Sequence, residues 1–202
     1  MNEARWARLS ALLAPIHTQA VATARRLCRS SFEGDDLFQD TVLRAFEKLH
    51  TLRDETKFRS WFYATLLSRH RTRLRRSFWR RLLPWDQAFA GGHEPAREDG
   101  TGWGEALGHA ARIRRALESL PAVQREAIVL FELDGFSIEE VATVQQVSVS
   151  AVKSRLARGR ERLRAWYVRH GDVTPDAVRT RSGAPLLYQA DFAAAGREER
   201  TR

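Results

Sequence analysis

A glycine- and proline-rich segment in the middle of the chain constrains the fold more than any other feature. Residues 82–106 contain five of the twelve glycines and two of the six prolines, and these residue types interrupt regular structure. On either side, apolar residues recur at helical spacing. The pattern predicts an all-α protein with two small helical domains, residues 1–81 and 107–170, joined by a flexible linker over residues 82–106. Residues 171–202 are a C-terminal tail to which the pattern assigns no role.

The charge of the chain favours a polyanionic partner. The sequence has 34 basic and 25 acidic residues, which gives a net charge of +9. This charge favours nucleic acid as the partner over an anionic membrane. Cys28 is the only cysteine and the six histidines lack metal-ligand spacing, so we expect no disulfide, metal or cofactor. No long uncharged apolar run or signal-peptide start is present, and we therefore expect a cytoplasmic protein that does not contact a membrane.

The segment DDLFQDTVLRAFEKLH, residues 35–50, predicts a helix with one apolar and one polar face. Asp35 or Asp36 suits its start by capping and by the helix dipole. The apolar stripe consists of Phe38, Val42, Ala45 and Leu49. The opposite face consists of Asp36, Gln39, Asp40, Leu43, Arg44 and Glu47. A merely solvated face and a partner surface both fit this composition, and the apolar Leu43 among polar neighbours favours a partner surface.

The segment from Lys57 to Trp85 is basic and aromatic. It contains eight arginines and no acidic residue, and the aromatic residues interleaved with the arginines are Phe58, Trp61, Phe62, Tyr63, Phe78 and Trp79. Phe62, Leu66 and Tyr63 are predicted to face inward. A solvated basic face normally includes some acidic residues, whereas single-stranded nucleic acid needs cations for phosphates and exposed rings for bases. The composition favours nucleic-acid binding.

The pattern from Gly108 to Arg169 predicts four helices. Pro121 suits the opening turn of the second helix. Ser137 followed by Glu140 forms a capping-box pattern for the third helix, and Ser148 caps the fourth after a short turn. A short helix, a tight turn and a long basic helix are typical of a helix-turn-helix domain.

The fourth helix has a buried and a DNA-facing side. On a helical wheel, Gly159 lies on the apolar side, where a missing side chain allows close packing that offsets part of the roughly 1 kcal/mol helix-propensity cost of glycine. The other side presents Ser150, Ser154 and Ala157 between Lys153 and Arg158. Small residues let a helix enter a major groove, and the flanking cations reach phosphates or base edges. Residues 148–170 contain seven basic residues and one acidic residue, which favours DNA binding over a generic charged surface.

Two segments in this order resemble a known family. The segment LESLPAVQREAIVLFELDGFSIEEVATVQQVSVSAVKSRLARGRERLR resembles the promoter-binding domain of bacterial sigma factors of the extracytoplasmic-function group in the sigma-70 family. The segments DDLFQDTVLRAFEKL and KFRSWFYATLLSRHRTRLRR resemble their polymerase-binding and promoter-melting domain. The resemblance covers about residues 10–168. It implies a promoter-melting helical bundle at 1–81 and a four-helix helix-turn-helix domain at 107–170.

The resemblance also implies roles for particular residues. The clamp of the largest subunit of core RNA polymerase would bind the face made of Asp36, Gln39, Asp40, Leu43 and Arg44. The downstream (minus-ten) promoter element would be melted and its single strand held by Phe58, Arg59, Trp61, Ser68, Arg69, Arg71, Thr72, Arg75 and Arg76. The upstream (minus-thirty-five) element would be read as duplex by Ser148, Val149, Ser150, Lys153, Ser154, Arg155 and Arg158.

Further partners follow from the same resemblance. The flap of the second-largest polymerase subunit would be another contact, and an anti-sigma factor is a candidate regulator. Such a protein is not an enzyme, because the polymerase supplies the catalytic magnesium site. The sequence departs from the family pattern at Ser68 and Thr72, which replace frequent Asn or Asp residues, and at Gln146 and Ser150, which replace frequent glycines.

Two other functions are compatible with parts of the sequence. A helix-turn-helix transcriptional regulator with an N-terminal interaction domain would carry its basic bias in the C-terminal half alone, and the acid-free segment 57–85 argues against it. A small nuclease would need clustered carboxylates for metal ions. The acidic residues lie instead on helix faces for which another role has already been given, which argues against a nuclease.

Overall fold

The computed structural model describes residues 2–82 and 105–170, and these residues form helices and turns without a strand. The first domain contains α1 (Asn2–Leu13), α2 (His17–Leu27), α3 (Ser31–Lys48) and α4 (Phe58–Leu82), with short 3₁₀ turns at Ala14–Ile16, Leu49–Thr51 and Glu55–Lys57. The second domain contains α5 (Glu105–Glu118), α6 (Ala122–Ile128), a π-helical turn (Val129–Leu133), α7 (Ile138–Gln145) and α8 (Val149–Arg169). The all-α, two-domain prediction is confirmed.

Helix α3 begins earlier than the sequence-based prediction. Its N-cap is Ser30, whose hydroxyl accepts a hydrogen bond from the Glu33 backbone N–H at 3.1 Å. Asp35 and Asp36, the predicted start, lie more than a turn inside the helix. Gly34 lies in the first turn, where an added Cβ would be 2.5 Å from the Arg25 Cα. Because Gly34 has no side chain, the first turn of α3 can pack directly against the backbone of α2 at Arg25.

The ends of the predicted linker are helical. Helix α4 continues through Leu82, and α5 is already formed at Glu105, so the regular structure extends into both ends of the predicted range 82–106. The rest of that range and the predicted tail at 171–202 lie outside the described residues.

The helix-turn-helix element follows the capping pattern in the sequence. The Ser137 hydroxyl accepts from the Glu140 N–H at 3.1 Å and the Glu140 carboxylate accepts from the Ser137 N–H at 2.7 Å, which completes the capping box. Ser148 caps α8 through the Ala151 N–H at 3.2 Å. Gln146, in the turn between them, has a φ of 57°, a conformation that glycine adopts without strain.

Gly159 packs α8 against α6, as predicted. An added Cβ would be 2.9 Å from the Ile128 Cγ1 atom and 3.3 Å from its Cδ1 atom, and Ile128 is fully buried. Neighbouring positions on the same stripe, Val152, Leu156 and Leu163, are also buried. The missing side chain is what allows the two helices to approach.

We expect Gly159→Leu to lower the free energy of unfolding by about 2 kcal/mol or more, because overpacking a buried contact outweighs the gain in helix propensity. Urea denaturation measures the change. The matched control is Ala157→Leu, on the exposed side of the same helix, which should change stability by about 0.5 kcal/mol at most. Equal stabilities for the two variants would contradict the packing role.

The two domains pack against each other, a contact that the sequence did not predict. Their buried apolar side chains belong to one continuous cluster. The Tyr63 ring of α4 meets the Phe136 ring of the second domain edge-on, with centroids 4.8 Å apart. The Arg125 guanidinium of α6 donates to the Leu27 carbonyl oxygen at the end of α2, at 2.9 Å. Helix α7 lies alongside α4.

Candidate nucleic-acid and partner interfaces

The predicted partner face of α3 is accessible. Leu43 is 56% exposed and Gln39 is also exposed, whereas Asp36, Asp40 and Arg44 are half-buried. Arg44 forms an ion pair with Glu47 along the helix, at 2.6 Å. An apolar side chain thus stands exposed among polar neighbours, the arrangement expected of a partner-binding surface.

Asp40 connects this face to α4. Its carboxylate accepts hydrogen bonds from Arg73 at 2.6 Å and from Arg69 at 3.4 Å. Burial opposes ionisation of Asp40, but the two arginines outweigh it and hold the pKa of the carboxyl below its usual range. Asp40 is therefore a structural link between α3 and α4 as well as a surface residue.

Phe32 extends the same face and was missed by the sequence-based prediction. It is 67% exposed and precedes Leu43 by eleven residues, which is close to three full helical turns. Both side chains therefore project from one side of α3. The prediction overlooked Phe32 because it started the helix at Asp35 or Asp36; the signal was the spacing Phe32, Asp36, Leu43.

The exposed part of α4 is its second half. Ser68, Arg75 and Arg76 are exposed, and Arg69 and Thr72 are half-buried. Phe78 and Trp79 are 60% and 63% exposed, with ring centroids 6.1 Å apart. Cations beside exposed rings are the combination that single-stranded nucleic acid requires. Phe78 and Trp79 belong to the aromatic pattern noted in the sequence but were not among the predicted strand contacts.

The first turn of α4 is covered. Phe58 is 3% exposed and its ring lies 5.9 Å from Trp61 and 5.7 Å from Phe62. The Arg59 guanidinium stacks on the Phe136 ring at 3.7 Å and donates to the Asp134 carbonyl oxygen. In this conformation Phe58 shapes the core beneath Trp61, and Arg59 binds the second domain.

Glu126 is a buried carboxylate between the domains. Its side chain is fully buried and accepts from Arg71 at 2.6 Å, from His70 at 3.3 Å and from Gln145 at 3.3 Å. Burial opposes its ionisation, but the hydrogen bonds from His70 and Arg71 outweigh it and lower the pKa of the Glu126 carboxyl. Glu126 is therefore ionised at neutral pH and holds Arg71, a predicted promoter contact.

Most of the residues predicted to read DNA are exposed at the start of α8. From the N-cap to the third turn, over residues 148–158, the exposed residues are Ser148, Ser150, Lys153, Ser154, Ala157 and Arg158. Val149 is half-buried and packs against the core. Arg155 is partly buried and donates to the Gln145 side-chain oxygen at 2.8 Å, which turns it toward α7. The exposed surface in the first turns of α8 therefore consists of small side chains flanked by two cations, Lys153 and Arg158.

Among residues 2–82 and 105–170, no group of three or more His, Cys, Asp or Glu side chains is arranged to hold a metal ion. No helix within these described ranges is long and apolar enough to cross a membrane.

A basic helix with exposed rings, together with a helix-turn-helix whose second helix exposes small and basic side chains, is typical of a DNA-binding transcription factor. Comparison with known families narrows this class. Residues 12–80 match the family described as Sigma-70 region 2, and residues 110–163 match Sigma-70, region 4. Together the two matches cover more than half of the chain.

Individual relatives agree with this assignment. The chain is 31% identical over 147 residues to the ECF RNA polymerase sigma factor SigM of Mycobacterium tuberculosis, covering 73% of this chain and 70% of SigM. It is 31% identical over 161 residues to SigE of Mycolicibacterium smegmatis, covering 77% of this chain and 60% of SigE. The chain belongs to the extracytoplasmic-function (ECF) group of sigma factors and functions as a promoter-recognising sigma factor.

Solved structures of similar proteins share the fold. The sigma factor RpoE of Bartonella quintana, in complex with the anti-sigma factor NepR, is 27% identical with a TM-score of 0.59, covering 76% of this chain and 92% of RpoE. CnrH, in complex with the cytosolic domain of CnrY, is 27% identical with a TM-score of 0.55, covering 78% of this chain and 86% of CnrH.

Proposed function

We propose that the first domain binds core RNA polymerase and the minus-ten element, and that the second domain binds the minus-thirty-five element. The observation that carries this assignment is the exposed Leu43 on the polar face of α3. It offers an apolar anchor for a protein partner on the side of α3 away from the domain core. The clamp of the largest subunit is the proposed partner of this face, and Phe32 extends the surface. The flap of the second-largest subunit is the proposed partner of the second domain.

In this proposal, α4 separates the promoter strands and holds the unpaired strand. Arg75 and Arg76 would hold the backbone of the separated strand, with Phe78 and Trp79 available for stacking on unpaired bases. Ser150, Ser154 and Ala157 of α8 would lie in the major groove of the upstream duplex. The protein would act in the cytoplasm and catalyse no reaction itself, because the polymerase carries the catalytic site.

Regulation by an anti-sigma factor is part of the proposal. The two similar solved structures are complexes of sigma factors with NepR and with the cytosolic domain of CnrY. A partner of that class would bind this chain and keep it from the polymerase.

Copurification and in vitro transcription test the proposed function directly. The tagged protein should retain core RNA polymerase, and the reconstituted complex should start transcripts from a specific subset of genomic fragments. A helix-turn-helix regulator without sigma activity would bind DNA but would not retain the core enzyme. Absence of both polymerase binding and specific transcripts would refute the proposal.

We expect replacement of Arg75 and Arg76 with alanine to weaken open complexes more than closed complexes, with the largest difference from wild type at low salt. Each lost phosphate contact to a single strand should reduce the slope of log affinity against log salt by about 0.7. Permanganate footprinting of unpaired thymines measures the open complex. The matched control replaces Arg29 and Arg53, two exposed arginines of the same domain. Footprints of wild-type strength in the Arg75 and Arg76 variant would contradict this role.

We expect Lys153→Ala and Arg158→Ala to affect DNA binding differently. Lys153 is exposed in the first turns of α8, where a groove-reading helix meets base edges, and its loss should relax preference at one or two positions by about 1–3 kcal/mol. Arg158 lies more than a turn later and should contact phosphate, so its loss should weaken all sites alike and reduce the salt dependence. Binding measured on a set of single-base variants separates the two, and identical profiles would contradict the assignment.

A further inference from the structure

Gln145, the last residue of α7, is a buried hydrogen-bonding centre of the second domain. It is only 2% exposed. Its side-chain oxygen accepts from the Arg155 guanidinium of α8 at 2.8 Å. Its side-chain nitrogen donates to two groups of α6, the Val123 carbonyl oxygen at 3.1 Å and the Glu126 carboxylate at 3.3 Å. One side chain therefore connects α6 and α8 to the end of α7.

The chemistry of these partners fixes the orientation of the Gln145 amide. Arginine offers only N–H donors, so it must face the amide oxygen. The Val123 carbonyl and the Glu126 carboxylate, which is ionised at neutral pH, are acceptors and must face the amide nitrogen. A rotated amide would place N–H against N–H and oxygen against oxygen. Only one arrangement satisfies all three partners, so the contact is directional.

Arg155 lies away from the exposed side of α8. It follows Lys153 by two residues, which is roughly 200° around a helix of about 3.6 residues per turn. Arg155 is half-buried, whereas Lys153 and Ser154 are exposed. In the part of the chain that the structure describes, its bond to Gln145 is the only side-chain hydrogen bond between α7 and α8. Arg155 is therefore placed to hold α8 on α7.

A small rotation of α8 would move its exposed side chains away from the bases. Side chains extend about 5–6 Å from a helix axis, so a rotation of about 20° displaces their ends by roughly 2 Å. A hydrogen bond to a base edge does not survive that displacement, and recognition sites need their side chains held within about 0.5 Å. The apolar contacts of Val152, Leu156 and Leu163 are not directional. The polar contact between Gln145 and Arg155 supplies a directional constraint.

We propose that Gln145 and Arg155 are positioning residues for recognition of the upstream element: their contact fixes the rotation of α8 and so directs Lys153 toward the base edges. Arg155 then acts through Gln145, in place of the direct DNA contact expected from the sequence. This inference rests on the proposed function, because it requires the second domain to read the upstream element.

Two substitutions remove the contact, one from each side. Gln145→Met preserves the length of the side chain and loses its hydrogen bonds, and Arg155→Met retains an apolar stem on α8. The control for burial is Gln124→Met, because Gln124 is a buried glutamine of α6 whose side-chain oxygen accepts no hydrogen bond from the described residues. The control for charge is Arg162→Met, at an exposed position later in α8.

The test uses holoenzyme reconstituted from core RNA polymerase and each full-length variant. Binding and transcription are measured on a promoter found among genomic fragments and on single-base variants of its upstream element. We expect Gln145→Met and Arg155→Met each to reduce the preference for the intact element about tenfold, the equivalent of one lost base contact. The double variant should lose no more than either single variant, because both substitutions break the same contact. Gln124→Met and Arg162→Met should retain the preference within about twofold.

A direct role of Arg155 at the DNA would give different results. Reduced preference in Arg155→Met with normal preference in Gln145→Met would show that Arg155 reads a base, and would overturn the proposal. Equal weakening at every sequence in Arg155→Met, with a salt slope lower by about 0.9, would assign Arg155 to a phosphate. A double variant whose loss is the product of the two single losses would show that the residues act independently.

Stability is measured for each variant by urea denaturation, so that folding and positioning are separated. Arg155→Met alters a half-buried residue and provides the test even where Gln145→Met is strongly destabilised. A reduced preference in Gln124→Met as well would show that preference follows general packing of the domain, and would overturn the positioning role. Failure of the proposed function appears separately, as a wild-type holoenzyme that does not distinguish intact from scrambled upstream elements.

Discussion

Leu43→Glu is expected to abolish retention of core RNA polymerase while leaving the helical content of the protein unchanged. Leu43 is 56% exposed, so the substitution costs little stability. At the centre of a protein interface, however, it would replace an apolar anchor with a desolvated charge. Central anchors of this kind contribute about 2 kcal/mol or more to binding, which corresponds to a loss of affinity of roughly thirtyfold or greater. Pull-down of core polymerase by the tagged variant measures the effect.

The single substitution is a sharper test than one that also changes Asp40. Because Asp40 binds Arg73 and Arg69, Asp40→Arg would disturb the packing of α3 against α4 as well as the surface. Thr51→Glu introduces the same charge at an exposed position beyond the end of α3 and should bind polymerase normally. Phe32→Glu should weaken binding if the surface extends along the helix. Wild-type retention by Leu43→Glu would refute the polymerase face.

Ser150→Leu is expected to abolish recognition of the upstream element with little loss of polymerase binding. Ser150 is exposed in the first turn of α8, and its hydroxyl lies 2.9 Å from that of Ser148. A leucine there would prevent close approach of the helix to the groove floor, and it would offer no hydrogen bond in return. Each lost base contact costs about 1–3 kcal/mol, so a helix that no longer enters the groove should lose nearly all preference for this element.

Transcription from promoters with intact and scrambled upstream elements measures this effect. The wild-type protein should favour the intact promoter, whereas the variant should treat both alike. Glu161→Leu, on an exposed position later in α8, adds the same side chain away from the first turns and should retain the preference. Normal promoter selectivity in Ser150→Leu would place the reading face elsewhere on the domain.

The helical elements could be predicted because their signals are local. Ser137 with Glu140, and Ser148 ahead of α8, cap helices through partners three residues away. Gly159 could be assigned to packing because its wheel position coincides with Val152, Leu156 and Leu163, which fill the same side of α8. The predicted start of α3 was wrong because two residues, Ser30 and Asp35, are both acceptable helix N-caps. The sequence does not show where α2 ends, so it does not decide between them.

The burial of individual side chains was less predictable. The aromatic residues of α4 all fit one basic, aromatic pattern, yet Phe58 is buried and Phe78 and Trp79 are exposed. The difference depends on which part of a 25-residue helix the neighbouring helices cover. Helical period alone assigns a face to a residue but does not say whether another element lies against that face.

The amino-acid sequence by itself determined the helices, the N-caps of α7 and α8, the basic surfaces and the helix-turn-helix, because each depends on residues within a few turns of one another. Only the tertiary structure decided that the two domains close on Arg59 and Arg71. The partners of those arginines, Asp134 and Glu126, are 75 and 55 residues away in the chain. Pairing over such separations depends on how whole domains meet, and neither periodicity nor composition encodes a contact between two particular side chains at that distance.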